Sequence, residues 1–306
     1  MTSRTQFVAD GGERSRWHGT AFILGAATLW GLVGPVATVA MRDGVTSLEI
    51  AFWRAAMGGL LYAAHASRGG AWKVAGRDLP AIAAFGVVGV SLFYSSYLIA
   101  VAAGGAALAA VLLYTAPAWV ALMAWVVLRE RITGMRAVSV VATVLGVALV
   151  ATAGSSAVRV TPAALGWGLT AGASYAVYYL FGRSYFALYP AATVLGIALP
   201  VGAICLAPFV DFGAHTPMAW AILVFLAVVP TYGAYLLYAA GLRRLEATRA
   251  AVMATIEPVV AAVVAYLAFG EQLAPLGYLG ALVVLGGVIV AALPDRTRRM
   301  SVSTAG

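Results

Sequence analysis

The sequence predicts an all-α polytopic membrane protein with ten transmembrane helices, arranged as a 5+5 inverted repeat around a central cavity. Three observations carry this. The chain is 63% apolar and only 10% charged over 306 residues, whereas soluble proteins are about 25% charged. Apolar runs long enough to span a bilayer recur along its whole length. A 27-residue stretch, Ala247 to Leu273, has an ungapped counterpart 141 positions earlier.

A spanning helix needs about 20 apolar residues. Candidate spans lie at 18–41, 46–66, 79–101, 106–128, 134–153, 162–182, 191–209, 217–240, 248–269 and 275–293. Segments 1–17 and 294–306 are polar and are expected to be cytoplasmic tails. Between them lie a first five-helix unit, 18–153, and a second, 162–293. The connections are short and leave no room for an extramembrane domain. Arg14 and Arg16 ahead of an apolar run suggest a signal peptide, but the run from Phe22 to Met41 is too long for one. A retained first helix is expected. The single cysteine, Cys205, excludes an intrachain disulfide.

A net charge of +8 does not signal nucleic acid here, because the basic residues sit in short clusters between apolar runs. They act as topology signals. With both termini inside, the inner segments hold sixteen Lys or Arg and the outer loops only Arg42 and Arg159. One missed helix would scramble that division.

The repeat rests on particular residues. Pro117 falls on Pro258 and Glu130 on Glu271, within 8 identities over 27 aligned positions. The same offset carries Tyr94 onto Tyr235, Tyr97 onto Tyr238 and Gly146 onto Gly287. With a small shift, Trp30 falls near Tyr175. Five helices is an odd number, so the copies must insert in opposite senses. The loops agree: Arg129, Arg131 and Arg136 follow span 4, and its counterpart GEQLAPLG has no basic residue. Inverted repeats mark secondary transporters with a midplane site between the halves.

Tyrosines form stripes at helical spacing. They are Tyr175, Tyr178 and Tyr179 in span 6, Tyr232, Tyr235 and Tyr238 in span 8, and Tyr94 and Tyr97 in span 3. Tyr114 sits one turn before Pro117. A hydroxyl inside a membrane needs a partner, so the stripes fit either a wet cavity or packed helix interfaces; the cavity is the favoured reading. Trp17, Trp53, Trp72, Trp167 and Trp220 lie near span ends and suit the interfacial belt. Trp30 lies deeper. Two charges fall within spans. Arg54 is expected to be structural, hydrogen-bonding helix ends or snorkelling outward. Glu257 could hold a substrate ammonium, carry a coupling proton or tie the broken span 9 to a neighbour. Its repeat equivalent is Ala116. Pro117 and Pro258 each free a carbonyl one turn back, which neighbours or water must satisfy. Such breaks suit a hinge or a static kink. Glycine pairs such as Gly58-Gly59 suit close helix packing.

This ordered set resembles the EamA branch of the drug/metabolite transporter superfamily. The residues carrying the resemblance are Trp30-Gly31, Arg54, Pro117, Glu130-Arg131, Glu257-Pro258 and Glu271-Gln272-Leu273. It covers about 18–293. In size and aromatic content the chain is more narrowly similar to YddG-type amino-acid exporters. The resemblance implies a bacterial inner-membrane location and a cavity lined by spans 1, 3, 4, 6, 8 and 9. Substrate-binding residues are then expected among Trp30, Tyr94, Tyr97, Tyr114, Tyr175, Tyr179, Tyr235, Tyr238 and Glu257, with Pro117 and Pro258 as hinges.

The expected function is alternating-access export of neutral or zwitterionic metabolites, foremost aromatic or other apolar amino acids. An exporter or facilitator of other amphipathic metabolites or drugs is the alternative, and a channel also fits the architecture. Phosphorylated substrates fit poorly, since they need several convergent Lys or Arg. An enzyme is not expected: His18, His65 and His215 are far apart at or beyond span ends, and no HExxH is present. No catalytic residue, metal site or cofactor is expected, and no Walker A pattern is present. The expected partners are a small-molecule substrate and membrane lipids. A monomer is compatible with the sequence, which leaves oligomeric state, coupling ion and direction open.

Overall fold

The computed structural model describes residues 2–70, 72–116, 118, 119, 122, 123, 134–152, 159–242, 244, 253, 254 and 256–292. Pro117, Glu130, Arg131 and the basic start of the ninth predicted span lie outside the described residues, as do the side chains of Tyr179 and Pro258.

Every regular element among the described residues is helical. This follows from composition, because backbone groups in hydrocarbon must be satisfied within their own segment. In chain order the helices are α1 (Thr2–Gly31), α2 (Val33–Arg42), α3 (Ser47–Arg68), α4 (Leu79–Phe85), α5 (Phe93–Gly104), α6 (Ala106–Leu113), α7 (Gly134–Thr152), α8 (Pro162–Leu188), α9 (Ala191–Leu206), α10 (Pro217–Leu226), α11 (Ala234–Leu242), α12 (Ile256–Phe269) and α13 (Pro275–Ala292). Among the described residues, four continuous stretches are long and apolar enough to cross a membrane: Trp17–Arg42, Gly76–Gly104, Ala191–Phe209 and Pro217–Gly241. Shorter apolar helices run over Val259–Phe269 and Pro275–Gly287. Exposed Leu60, Ile204, Leu267 and Leu282 give the bundle a greasy outer face, as lipid contact requires.

Helix starts are read from local chemistry. Thr46, Thr161 and Thr216 each cap a helix, their hydroxyls accepting from Glu49 N, Ala164 N and Ala219 N. Pro162 and Pro217 follow two of these caps at the first helical position. The start of α6 is capped from far away. Glu271 accepts from Ala106 N at 3.0 Å and Ala107 N at 3.4 Å, placing an anion at the positive end of the helix. Gly105 makes the approach possible, with φ at +93° and the Glu271 carboxylate 2.9 Å from where a Cβ would sit. Burial pushes the Glu271 carboxyl above the usual glutamate range, against the pull of the two N–H donors and of Arg42.

Two segments depart from α geometry. Gly86–Leu92 joins α4 to α5 as a π-helix, and Ala227–Gly233 joins α10 to α11 in the same way. Both ends of the second lie 141 positions after those of the first. Pro230 explains the second segment. It lacks an N–H and crowds the carbonyl four residues back, at Leu226. The Thr231 hydroxyl takes that carbonyl at 2.8 Å. After the first segment, the Ser95 hydroxyl donates to Ser91 O at 2.8 Å.

Helix packing pairs the two family-length units throughout. α3 lies on α9, α6 on α12 and α7 on α13. The contact of α5 with α8 is matched by that of α11 with α1, and α6 on α8 by α12 on α1. Glycines set the closest approaches. On α3, a Cβ at Gly58 would lie 2.8 Å from Thr231 Cγ2, and one at Gly59 would lie 2.7 Å from Pro200 Cδ.

Polar ties close the ends of the bundle. Near the start of α3, buried Glu49 pairs with His215 Nε2 at 2.7 Å and accepts from Trp53 Nε1 at 3.3 Å. Near its end, the Tyr62 hydroxyl donates to Tyr232 O at 2.8 Å. His65 Nδ1 lies 3.1 Å from the Tyr232 hydroxyl.

Gly59→Ala should push α3 off Pro200 and cost about 1–3 kcal/mol, read as a lower melting temperature in detergent. Gly286→Ala is the control: a Cβ there meets nothing within 4 Å, so its melting temperature should stay level or rise slightly. Equal melting of the two variants would refute the close-packing account.

Candidate functional site

A narrow cavity opens where α1, α2, α3, α5, α6, α8, α11 and α12 converge. Its walls are Trp30, Val33, Phe93, Tyr97, Leu113, Tyr175 and Tyr235, with Arg54 and Glu257 the two charged groups. Its volume is about 30 Å³, room for roughly two or three waters at ~10–15 Å³ each. The side chains are therefore nearly closed on one another, and a substrate must part them.

Arg54 is 4% exposed. Its Nε donates to Thr231 Oγ1 at 3.2 Å, and its guanidinium lies 4.3 Å over the Tyr94 ring. Thr231 lies in the π segment of Ala227–Gly233, and Tyr94 is in the first turn of the helix that follows the other. Thus one arginine is held by a residue of one π segment and by a residue just after the second. No carboxylate is within salt-bridge reach of it among the described residues. A ring face and a neutral hydroxyl hold the cation without a direct ion pair.

Glu257, 7% exposed, lines the same cavity from α12. Its Oε2 lies 2.9 Å from the Tyr114 hydroxyl. That hydroxyl also donates to Ala254 O at 2.5 Å. Ala254 is four residues before Pro258, so its carbonyl is the one the proline leaves without a helical N–H. Tyr114 therefore mends the break and meets the carboxyl. One hydroxyl hydrogen serves two oxygens: Tyr114 donates to Ala254 while accepting from a protonated Glu257, or turns toward an ionised one. Gly31 lets α1 come close enough, with the Glu257 carbonyl 2.8 Å from where its Cβ would be.

The remaining wall is aromatic. Trp30 packs against Tyr235 and Tyr238 with centroids 5.1 and 5.2 Å apart. Phe93 stacks on Tyr175 at 5.1 Å, and Tyr178 joins Tyr235 at 5.6 Å. The Trp30 indole N–H is buried and has no hydrogen-bond partner among the described residues.

Of the residues expected from sequence, Trp30, Tyr97, Tyr175, Tyr235 and Glu257 line the cavity. Tyr94, Tyr114 and Tyr238 form the layer behind it, each touching a lining residue. The Tyr179 side chain and Pro117 lie outside the described residues, though α6 ends at Leu113, just before Pro117. Two expectations need revision. Tyr232 does not share the face of Tyr235 and Tyr238; it turns to Tyr62 and His65, because the π segment ending at Gly233 breaks the three-residue spacing. Arg54 neither snorkels outward nor serves a helix end; it faces the cavity. Its depth was readable from sequence, but its partner Thr231, 177 residues away, had no local signal. Phe93, Val33 and Leu113 were also missed as ordinary apolar residues. A second, apolar groove near Val88, Leu92, Trp119 and Met123 has no charged side chain in its lining. Among the described residues no cluster of potential metal ligands occurs.

Tyr114→Phe should strand the Ala254 carbonyl and cost about 1–3 kcal/mol, lowering the melting temperature. Tyr266→Phe, at an exposed site, should leave it unchanged. Identical melting of the two variants would remove the repair role given to Tyr114.

Comparison with known proteins agrees with this architecture. A solved crystal structure superposes with a TM-score of 0.62 at 19% identity, covering 92% of this chain and 98% of that one. YwfM of Bacillus subtilis, named an uncharacterized transporter, is 29% identical over 90% of this chain and 95% of its own. A probable terminal-alkyne amino-acid exporter of Streptantibioticus cattleyicolor is 29% identical over 94% and 97%. YicL of Salmonella typhimurium, an uncharacterized inner membrane transporter, is 26% identical over 90% and 95%. The model of the EamA-like transporter family matches twice, at residues 17–152 and 162–293. The chain belongs to the EamA-like transporter family, and so is a membrane transporter, not an enzyme.

Proposed function

We propose that this transporter moves small zwitterionic or neutral metabolites, foremost amino acids with apolar side chains, outward across a bacterial inner membrane by alternating access. The observation carrying this reading is the nearly closed cavity in which aromatic rings surround one cation and one anion. Apolar rings suit an apolar side chain, and Glu257 suits an ammonium. The similarity to a named amino-acid exporter supports the same substrate class, as does the likeness to YddG-type exporters noted from the sequence.

The proposed frame is ten spans in two units, 18–153 and 162–293, inserted in opposite senses with both termini cytoplasmic. The equal spacing of the π segments and the matched helix contacts support it. In this frame Trp30, Tyr97, Tyr175, Tyr235 and Glu257 contact substrate. Tyr94, Tyr114, Tyr179 and Tyr238 support them, and Pro117 and Pro258 are the hinges. One chain encloses the whole cavity, which supports a monomer as the working unit.

The test is uptake of a panel of labelled amino acids into proteoliposomes, with and without a pH gradient. Apolar amino acids should enter at least about tenfold faster than into empty vesicles. Glu257→Gln should cut that rate by about tenfold or more and change its pH dependence, as expected when a charge-assisted contact is lost. Uptake no faster than in empty vesicles would sink the amino-acid reading. An unchanged Glu257→Gln would remove Glu257 from the mechanism.

A further inference from the structure

We propose that Arg54 is the carboxylate anchor of the substrate site, so that the transported molecule must carry a free carboxylate. This rests on the cavity being the amino-acid site proposed above and assigns the second charge in it.

The geometry points to an anion supplied from outside the protein. Arg54 is buried, yet its protein partners are a hydroxyl and a ring face. Thr231 occupies Nε, and Tyr94 covers one face of the guanidinium plane. Among the described residues the two terminal nitrogens have no hydrogen-bond partner and no carboxylate is in salt-bridge range. Arg54 is one of the residues lining the cavity. A buried guanidinium with no carboxylate in direct contact is costly, and an oxyanion meeting its two terminal N–H groups side by side adds a paired contact beyond the longer-range attraction of Glu257. A structural arginine would be expected to spend those donors on carbonyls or a carboxylate of the bundle.

A second donor faces the same space. Trp30 is a lining residue, and its buried indole N–H has no partner among the described residues. Two unused donors and the Glu257 carboxyl, all on lining residues, match the two ends of an α-amino acid. The carboxylate takes Arg54 and Trp30, the ammonium takes Glu257, and the side chain meets Phe93, Tyr175 and Tyr235. Arg54 is held by Thr231 of one π segment and by Tyr94 just after the other, so the anchor stays put while the ligand changes.

The test is a matched series binding to purified wild-type protein, read by thermal shift and by quenching of tryptophan fluorescence. L-phenylalanine has both charged groups, L-phenylalaninamide keeps only the ammonium, and 3-phenylpropionate keeps only the carboxylate. The proposal expects the amide to bind about 100-fold more weakly than phenylalanine, because it leaves the arginine unpaired. Arg54→Lys, which keeps charge but loses the planar fork, should weaken phenylalanine about tenfold and leave the already weak amide unchanged. If 3-phenylpropionate binds as well as phenylalanine and the amide does not, the anchor stands and the zwitterion reading falls. If the amide binds within about threefold of phenylalanine, the anchor is overturned and the amino-acid reading stands. If none of the three binds, both fall. The wild-type series needs no variant, so a misfolded Arg54→Lys would not decide the outcome.

Discussion

A guanidinium taken out of water inside an apolar bundle must be held, and much of the centre of this protein is arranged around holding one. Charge in a membrane interior is costly and is tolerated only facing protein or a wet cavity. Arg54 meets that constraint with a ring on one side and a hydroxyl on another, a contact that desolvation strengthens to about 2 kcal/mol or more. Each support has its own requirement. Thr231 reaches Arg54 because Pro230 breaks the helix into a π segment and because Gly58 leaves room for the threonine methyl. Tyr94 is placed by the segment ending at Leu92. The π segments are thus the devices that turn two ordinary apolar helices into walls of a polar site, a common use of such bulges.

The opposite wall follows the same logic with the sign reversed. Pro258 has no N–H to offer the Ala254 carbonyl, and Tyr114 takes that carbonyl instead. The mending hydroxyl is also the neighbour of the carboxyl. A change in the protonation or ligand of Glu257 therefore changes what Tyr114 can give to Ala254. That couples the chemistry of the site to the helix break beside it, a local event of the kind that can bias a two-state rearrangement. The residue at the matching repeat position is Ala116, which has no carboxyl.

The sequence carried the repeat well, because a proline, a glutamate and two tyrosines at one offset are hard to match by apolar composition alone. It also carried most of the cavity wall, since tyrosines in a membrane must find polar company and five of the nine lining residues were named. What it could not carry were neighbours across the bundle. Arg54 was readable as deep but not as inward-facing, since rotation about α3 is set by Thr231 and by packing on Pro200. The π segments leave almost no mark beyond Pro230, and a single one was enough to turn Tyr232 away from Tyr235. Glu271, first a marker of the repeat, proved to be the cap of α6. Its oxygens and the N–H groups they meet are 165 residues apart, so no local pattern could have joined them.

The central claim is that one cavity, ringed by Trp30, Arg54 and Glu257, is reached by substrate from each side of the membrane in turn. Cysteine accessibility at Val33 tests it most directly. Val33 lines the cavity, and Cys205 is the only native cysteine, so Val33→Cys in a Cys205→Ser background gives a single reporter. A membrane-impermeant maleimide is applied to sealed vesicles of each orientation, with and without L-phenylalanine. The account predicts labelling from both sides and protection by the amino acid from both. Labelling from one side only, or labelling indifferent to the amino acid, would contradict it.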